Sequence, residues 1–316
     1  MQSTTYNAST DRSGPAKPGV TLPTGRWREA ARADTLLSER SCFNMMRSLW
    51  SAASGMISQQ TAVDTIANNL ANVNTTGYKT EKTEFKSLLY QTLQTRTTTA
   101  NGEQKPISAQ VGLGTRVASI TSNFVQGAHL DSESYTAMAI DGDGFFAVRG
   151  ADGNTYYTRN GDFKLSVGNN GNLTLVTSNG YPVLDTNGNP IEIPSGVSAS
   201  KMVVDQDGAF GYKDAQNNYV PLNQTIGLFQ FNNPAGLDKL SNSLFGVTDA
   251  SGQPLNEATT QGLTLSSIRQ GYLEGSNVQV ADEMVNLIVA QRAYEMNSKA
   301  IQTSDDMLGQ ANQLKR

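Results

Sequence analysis

Cysteine and histidine are almost absent from this chain, whose 316 residues include one of each, Cys42 and His129. A single cysteine excludes an intrachain disulfide, so cysteine pairing carries no information about the redox compartment. The same scarcity excludes most zinc sites and any Cys–His or Ser–His dyad that is not built on His129. The usual groups of nucleophilic and metal-dependent catalysis are therefore scarce.

Charged side chains are also few. They make up 16% of the chain, with a formal net charge of −4, whereas soluble proteins average about 25% charged residues. Nucleic-acid binding depends on clustered Lys and Arg. We therefore expect no nucleic-acid partner, and the composition gives no reason to expect binding to an anionic membrane surface.

Long apolar runs are absent as well. No stretch reaches the roughly 18 consecutive apolar residues of a transmembrane helix, and the first residues do not form a basic and then apolar leader. We therefore expect no direct insertion into a membrane. If the protein is exported, we expect a route that needs no cleaved leader.

What the chain does contain is a heptad pattern of apolar residues near each end. Residues at a and d spacing form a narrow stripe along a helix, which suits packing against another helix. We predict that these stripes pair the terminal helices with each other or with copies from other chains; packing against the rest of the same chain is the alternative. The stripe residues are Leu49, Met56, Val63, Ile66, Leu70 and Val73 near the N-terminus, and Val280, Met284, Leu287, Tyr294, Ile301 and Leu308 near the C-terminus.

The N-terminal helical segment is predicted to span 45–90. Its main helix is expected from about Ser48 to Asn72, where a run of Asn, Thr and Gly competes with helical hydrogen bonding. The preceding residues 1–44 contain three prolines and little apolar surface, which is typical of disorder. Trp27–Leu37 could form a short helix, but it has no obvious partner. We interpret 1–44 as an extension outside the working protein.

The C-terminal segment, 269–316, is predicted to be a long helix that pairs with the N-terminal one. Ser276 or Asn277 can cap its N-terminus. Asp282 and Glu283 then lie in the first turns, where negative charge interacts favourably with the helix dipole. A helix of about 35 residues would be a rod of ~50 Å.

Between the helices, 113–268 shows a period of two and many turns, and 91–112 is a polar extended arm. Asn-Gly and Asp-Gly pairs between the expected strands favour tight hairpin turns. We predict an α+β protein whose central domain is an antiparallel sandwich or barrel. The expected strands are Thr115–Ile120, Ala137–Ile140, Phe145–Val148, Thr155–Thr158, Leu173–Val176, Met202–Val204 and Ile226–Phe231.

Candidate sites for chemistry are weak, and we assign no catalytic, cofactor or metal residue. Asp141–Gly144 and the loop that begins at Asp185 resemble calcium loops, but both lack the closing glutamate, so hairpin turns are the better interpretation. Asp282 and Glu283 diverge by about 100° on a helix, which favours a solvated face over an acid–base pair. Four aromatic residues could form a sugar-stacking platform, although packing in the β core is better supported: Tyr156, Tyr157, Phe163 and Tyr181.

Four separated motifs resemble, in order, those of the flagellar rod and hook family of axial proteins. They are NNLANVNTTGYK at 68–79, AIDGDGFF at 139–146, YTRNGDF at 157–163, and LEGSNV at 273–278 followed by QRAYEMNSK at 291–299. The resemblance covers about 45–316. The residues that carry it include Asn68, Asn69, Leu70, Asn72, Gly77, Gly144, Phe145, Phe146, Ser276, Asn277, Gln291, Arg292, Tyr294 and Asn297.

The resemblance implies a structural role in the basal body of the bacterial flagellum. Subunits of this family stack head to tail into a hollow helical tube, with the terminal helices inside and the β domain outside, and are exported unfolded through the flagellar secretion channel. The implied partners are further copies of the chain, the adjoining proximal rod and hook proteins, the surrounding ring proteins and the export apparatus. The implied role is a subunit of the distal section of the rod.

Two alternatives remain at this point. Within the family, the alternative is a hook or proximal rod subunit. From another class, the alternative is a β-sandwich carbohydrate-binding or adhesin module whose terminal helices merely dimerise. An enzyme is the least favoured interpretation.

Overall fold

In the computed structural model of the protein, two long helices flank an antiparallel β domain, which confirms the predicted α+β class. Among the described residues, no helix is long and apolar enough to cross a membrane. The structure describes residues 24–94, 108–168, 171–194, 197–214, 216 and 218–314, with the side chains of the first helix described from residue 46 onward.

Helix α1 spans Thr24–Ala71 and begins about 24 residues before the predicted start. The prediction of disorder is therefore wrong for the backbone of 24–44, while 1–23 lies outside the described residues. The physical reason lies in the local composition. Proline is disfavoured inside helices. Pro23 is the last proline before a stretch rich in Ala, Leu, Arg and Glu, which are good helix formers.

The end of α1 agrees with the prediction to within one residue. The Asn72 side chain donates to the Asn68 carbonyl at 2.9 Å and so competes with the helical ladder. The rest of the predicted helical segment is not helical, because Glu81–Ser87 and Tyr90–Gln94 are strands. The predicted arm at 91–112 is in fact partly a hairpin, in which Tyr90–Gln94 pairs with Ala109–Gly112.

Helix α2 spans Val280–Leu314, with Asp282 and Glu283 in its first turn as predicted. The predicted cap is wrong. Asn277 directs its side chain to other segments, and Ser276 Oγ accepts only a 3.3 Å hydrogen bond from the Val278 amide. Two short strands occupy the start of the predicted C-terminal segment, so its helix begins eleven residues later than the segment does.

Twenty strands lie in the described parts of the chain, and every pairing between them is antiparallel. The strands are β1 Glu81–Ser87, β2 Tyr90–Gln94, β3 Ala109–Gly112, β4 Thr115–Ser122, β5 His129–Asp131, β6 Met138–Asp141, β7 Phe145–Arg149, β8 Thr155–Thr158, β9 Phe163–Val167, β10 Leu173–Thr177, β11 Glu192–Ile193, β12 Met202–Val204, β13 Ala209–Lys213, β14 Tyr219–Thr225, β15 Leu228–Gln230, β16 Asp238–Lys239, β17 Leu244–Gly246, β18 Leu255–Asn256, β19 Ser267–Gln270 and β20 Tyr272–Glu274.

The central sheet has six strands in the order β16-β17-β8-β7-β15-β18. Two three-stranded sheets, β11-β10-β9 and β12-β13-β14, complete the domain. Pairs β6–β19, β5–β20 and β1–β4 join residues distant in the chain and connect the domain to the helices. The domain is thus a set of small sheets rather than two large ones.

The turn pairs divide into two groups. Gly153, Gly171 and Gly208 have positive φ and follow the first strand of a hairpin, as predicted. The prediction of hairpins at Asp143-Gly144 and Asn160-Gly161 is wrong, because β6 pairs with β19 and β8 pairs with β7 and β17. At these two places the chain passes from one sheet to another.

Adjacent residues of β7 belong to two separate hydrophobic cores. Successive strand side chains point to opposite faces, so Phe146 packs on Phe163 in the larger core, with ring centroids 5.0 Å apart. Phe145 faces the smaller core, which contains Phe231 and Phe245. The smaller core borders the segments that lead to the helices.

Candidate assembly site: the stem and its junction

Helices α1 and α2 pack antiparallel, and together we call them the stem. Small and polar residues meet between them at every seventh position. Seven residues forward on α1 correspond to seven residues back on α2, so the register is constant over three heptads. The facing positions are Ser48 with Ser304, Gly55 with Asn297, Ala62 with Ala290, and Asn69 with Glu283.

These contacts are close and mostly polar. The hydroxyl oxygens of Ser48 and Ser304 lie 3.1 Å apart. Gly55 leaves room for the Asn297 amide, and the alanines between them are buried. Small residues allow the two backbones to approach, but they bury little apolar area, so the seam residues themselves supply little hydrophobic free energy to the pairing.

The predicted stripe residues flank this seam. Leu49, Met56, Val63, Ile66, Leu70 and Val73 on the N-terminal side, and Leu287, Ile301 and Leu308 on α2, are only half-buried. The other three are exposed by 41–54%: Val280, Met284 and Tyr294. The side chains of the stripe thus retain surface that the single chain does not cover, and their role in subunit packing stays a prediction.

A second apolar face was not recognised in the sequence. Trp50 and Ile57 on α1 are 72% and 70% exposed, and Val285 and Ile288 on α2 are 59% and 55% exposed. Trp50 and Val285 each follow a seam residue by two positions, which is a rotation of about 200° around the helix. The stem therefore presents large apolar side chains on its outer surface. The signal in the sequence is their own helical spacing, which the heptad stripe obscured.

The stem meets the β domain at a site that we call the junction. It consists of the N-terminal strap, Gly77–Thr80, the C-terminal strap, Glu274–Asn277, the loop Asn123–Gly127, and Arg159-Asn160 at the end of β8. Its three charged residues, Lys79, Arg159 and Glu274, are buried, whereas Asn123 and Val125 of the loop are exposed.

Glu274 is the centre of the junction. Its Oε1 accepts from Lys79 Nζ at 2.6 Å and from the Gly127 amide at 3.0 Å, and its Oε2 lies 3.5 Å from Arg159 Nη1. The side chains of all three charged residues are at most 1% exposed. Two buried cations therefore share one carboxylate, and the three residues come from three distant parts of the chain.

The environment shifts the pKa of both cations in the same direction. Burial lowers the pKa of the Lys79 ammonium, and the adjacent Glu274 carboxylate only partly opposes this effect. Burial likewise lowers the pKa of the Arg159 guanidinium, against the attraction of Glu274 and Asp143. Desolvation of a cation that is not fully compensated by its partners produces this direction.

Arg159 is incompletely satisfied. Its guanidinium carbon lies 4.9 Å from the centroid of the Phe145 ring, a cation–π distance. Its Nε has no hydrogen-bond partner among the described residues. Its one described ion pair, with Glu274, is long. Asp143 and Glu257 also attract the guanidinium, but among the described residues Glu274 of the C-terminal strap is the carboxylate within ion-pair distance.

Asn277 joins the two straps to the loop. Its Oδ1 accepts from the Thr80 amide at 2.7 Å and from Thr80 Oγ1 at 2.6 Å. Its Nδ2 donates to the carbonyls of Asn123 and Val125. Oδ1 thus accepts two hydrogen bonds and Nδ2 donates two, which uses the full capacity of the amide. The side chain therefore has no group left to cap α2.

Asn69 has an equivalent role where the stem begins. It is fully buried; its Oδ1 accepts from Tyr78 Oη and from the Glu81 amide, and its Nδ2 donates to the Glu81 carbonyl and to Glu283. Burial, followed by the charges of Glu81 and Glu283, raises the pKa of Tyr78. The expectation of a solvated face is therefore wrong for Glu283, which is 8% exposed, and holds for Asp282.

Gly77 allows the N-terminal strap to reach the β domain. Its φ is +69°, and a Cβ there would lie 2.7 Å from the Asn160 backbone nitrogen. Its amide donates to the Glu274 carbonyl at 2.8 Å, and the preceding Thr76 hydroxyl donates to Asn160 Oδ1. Both the left-handed conformation and the close backbone contact require glycine.

The remaining motif residues are distributed over the chain. Gly144 donates its amide to Ser266 Oγ at 3.0 Å. Asn68 and Asn72 form the C-terminal turn of α1. Gln291 and Arg292 are exposed on α2, and the Arg292 pair with Glu295 is a surface contact of small energetic value.

The other candidates for chemistry prove to be structural. The Asp185 carboxylate accepts from the backbone amides of Asn187 and Asn189, which closes a turn. Tyr157 and Phe163 are buried in the cores, as the packing interpretation predicted. Among the described residues, no three His, Cys, Asp or Glu side chains are grouped so that they could hold a metal ion.

Lys79, Arg159 and Glu274 were not selected from the sequence as functional residues. A weak signal was present, because each is a charged residue inside one of the motifs in a chain with few charges. Nothing in the sequence indicated that the three would meet, since Lys79 and Glu274 are separated by 195 positions.

Three family models match the chain along its length. Residues 49–79 match the flagella basal body rod protein model, 139–212 the flagellar hook protein FlgE/F/G D1 domain, and 269–314 the flagellar basal body rod FlgEFG protein C-terminal model. The first of these models includes all but the last residue of the N-terminal strap, and the last model includes the whole C-terminal strap.

Several curated proteins are similar over nearly their whole length. The flagellar basal-body rod protein FlgG of Borreliella burgdorferi is 46% identical over 275 residues, which cover 86% of this chain and all of the relative. FlgG of Bacillus subtilis is 38% identical, with the same coverage of both chains. The hook-basal body complex protein FlhP of Bacillus subtilis is 34% identical over 280 residues, again 86% of this chain and all of the relative. From these similarities and the shared motifs, the chain belongs to the flagellar basal-body rod protein family and is a structural component of the flagellar basal body.

Proposed function

We propose that the protein is a subunit that polymerises through its stem into the hollow distal rod, a drive shaft that transmits torque from the motor to the hook. The observation that carries this proposal is the outer apolar face of the stem, at Trp50, Ile57, Val285 and Ile288. Large apolar side chains at this level of exposure indicate a surface that another protein covers. Because the seam within the stem is polar and small, the larger hydrophobic gain is available only between subunits.

We infer that the assembly is open-ended. Head-to-tail contacts between different surfaces of identical subunits generate a helical filament when the rotation does not close. The stem would form the inner wall and the β domain the outer layer. The proposed partners are other copies of the chain, the proximal rod and hook proteins at the two ends, the surrounding ring proteins, and the apparatus that exports the unfolded chain.

The test compares two double substitutions on α2. Val285→Asp with Ile288→Asp places charge on the outer face, whereas Gln302→Asp with Gln310→Asp adds the same charge at exposed polar positions of the same helix. We expect the first variant to lose open-ended association in sedimentation and to fail to restore motility, and the second to behave like the wild type. Circular dichroism should show a folded β domain in both.

A third variant tests the predicted stripe. Leu287→Asp with Tyr294→Asp should also abolish incorporation into rods while the β domain stays folded. Normal association of both the Val285/Ile288 variant and the Leu287/Tyr294 variant would contradict packing through the stem. A discrete dimer of wild-type protein that binds glycans tightly would instead favour the carbohydrate-binding alternative, and incorporation into hooks rather than rods would favour a hook subunit.

A further inference from the structure

We propose that the junction is a charge lock in which each strap docks on the β domain only when the other strap is docked. Glu274 is the coupling residue, and Lys79 and Arg159 are the two cations that require it. The binding partner of each strap is the strap from the other end of the same chain. This inference concerns the folding of one subunit and does not depend on the proposed assembly into a rod.

The N-terminal strap lacks charge compensation when the C-terminal strap is not docked. The Lys79 ammonium would then retain a single described acceptor, the Val125 carbonyl at 2.9 Å. It would lie beside the Arg159 guanidinium without the carboxylate that contacts both cations, and Asp143 attracts the two only from beyond ion-pair distance. Burying an unpaired cation is costly, and a like charge nearby adds to the cost. The N-terminal strap is therefore unstable in its docked position without Glu274.

The C-terminal strap depends on the N-terminal strap in the same way. Without Lys79, the Glu274 carboxylate would lose its shortest contact and keep the Gly127 amide and the 3.5 Å approach of Arg159. The C-terminal strap would also lose the two hydrogen bonds that Thr80 donates to Asn277. A buried carboxylate with these remaining partners is poorly compensated, so the C-terminal strap in turn depends on the N-terminal one.

Backbone contacts strengthen this dependence. The Gly77 amide donates to the Glu274 carbonyl, so the straps also bond to each other directly. Each strap also makes a backbone hydrogen bond that does not involve the other strap, in both cases at 2.8 Å. The Asn123 amide of the loop donates to the Thr80 carbonyl, and the Gly275 amide donates to the carbonyl of Ala128, the residue after the loop. These last two hydrogen bonds report on the docking of each strap without involving the other.

The lock has a consequence for the order of folding. Lys79 in the N-terminal strap lies 195 positions before Glu274, the residue that compensates its charge. The N-terminal strap therefore stays undocked until the C-terminal strap also docks, and the base of the stem forms in one step from both ends of the chain.

Hydrogen exchange on the full-length wild-type monomer tests the lock without any substitution. The Asn123 and Gly275 amides should open with the same free energy and the same dependence on urea, because they belong to one cooperative unit. The Val183 amide, bonded to the Leu175 carbonyl in the β core, should open only in a separate and more costly step. Different free energies or urea dependences for Asn123 and Gly275 would overturn the proposal.

Substitutions give a reciprocal test. Lys79→Met should raise exchange at the Gly275 amide, and Glu274→Gln should raise exchange at the Asn123 amide, each roughly tenfold or more, with Val183 unchanged. Arg269→Gln is the matched control, since it breaks the exposed ion pair with Asp141 and should leave both amides as in the wild type. An effect confined to the strap that carries the substitution would refute the coupling.

Discussion

Gly55 of α1 lies directly opposite Asn297 of α2, and a Cβ at position 55 would come within 2.9 Å of Asn297 Nδ2. The nearest atom is the end of a flexible side chain, which can move. Gly77 contrasts with it, because a Cβ there would meet fixed backbone of Arg159 and Asn160 and its φ is positive. The two glycines therefore have different physical roles.

We expect Gly55→Ala to change the free energy of unfolding by less than about 1 kcal/mol, because the gain in helix propensity offsets the displacement of Asn297. Gly77→Ala should lower the free energy of unfolding by about 1–3 kcal/mol from the left-handed conformation alone, and by more when the backbone clash is added. Urea denaturation of both variants measures the difference. Equal stability losses would contradict the assignment of the close backbone contact to Gly77.

Asn277→Ala should destabilise the junction by about 2–4 kcal/mol, since it removes the described partner of the Thr80 amide and of the Asn123 carbonyl and leaves the Val125 carbonyl with Lys79 alone. Asn277→Asp should not restore stability, because a carboxylate cannot donate to the Asn123 and Val125 carbonyls. Ser276→Ala is the matched control, and its single 3.3 Å hydrogen bond predicts a loss below about 1 kcal/mol. The measurement is thermal or urea unfolding at pH 7.

Tyr157 predicts a loss of stability at alkaline pH. Burial raises the pKa of its phenol to about 12 from the ordinary value of 10.0. Above pH 10 the unfolded state loses this proton first, so its contribution to stability is complete below pH 10 and is lost as the pH rises through about 12. The slope is at most about 1.4 kcal/mol per pH unit.

Tyr157→Phe should therefore match the wild type at pH 7 and unfold at higher urea concentration than the wild type at pH 11. The comparison isolates Tyr157 from other tyrosines that titrate in the same range, including Tyr78. Parallel urea midpoints for the two proteins across this range would show that the phenol is solvated in the folded state.

Deletion of residues 1–44 should leave motility intact. The structure extends α1 back to Thr24, but the rod protein family model begins at residue 49, and all junction residues lie further along the chain. Complementation of a strain that lacks the gene, on soft agar, measures the effect. A non-motile strain with normal levels of the shortened protein would show that the extension has a function.

Short-range sequence patterns predicted the two terminal helices, although not the start of α1, and seven of the twenty described strands. The helix end at Ala71, the helix α2 and the strand Met202–Val204 agree with the sequence patterns, because local hydrogen-bonding competition and side-chain period determine them. The same reasoning failed at Asp143-Gly144, where a turn signal marks a crossing between sheets. A dipeptide that permits a tight turn does not determine which strand the chain pairs with next.

By itself, the sequence determined the two terminal helices, the β-rich centre, the family and the scarcity of catalytic groups, because composition, period and motif are properties of neighbouring residues. Only the tertiary structure decided which helix faces meet and which charges become buried. The seam uses Gly55 and Asn297 rather than the large apolar residues beside them, because close packing depends on the shape of both helices. Lys79, Arg159 and Glu274 look like ordinary solvated charges in the sequence, and their mutual dependence arises only where the fold removes all three from water.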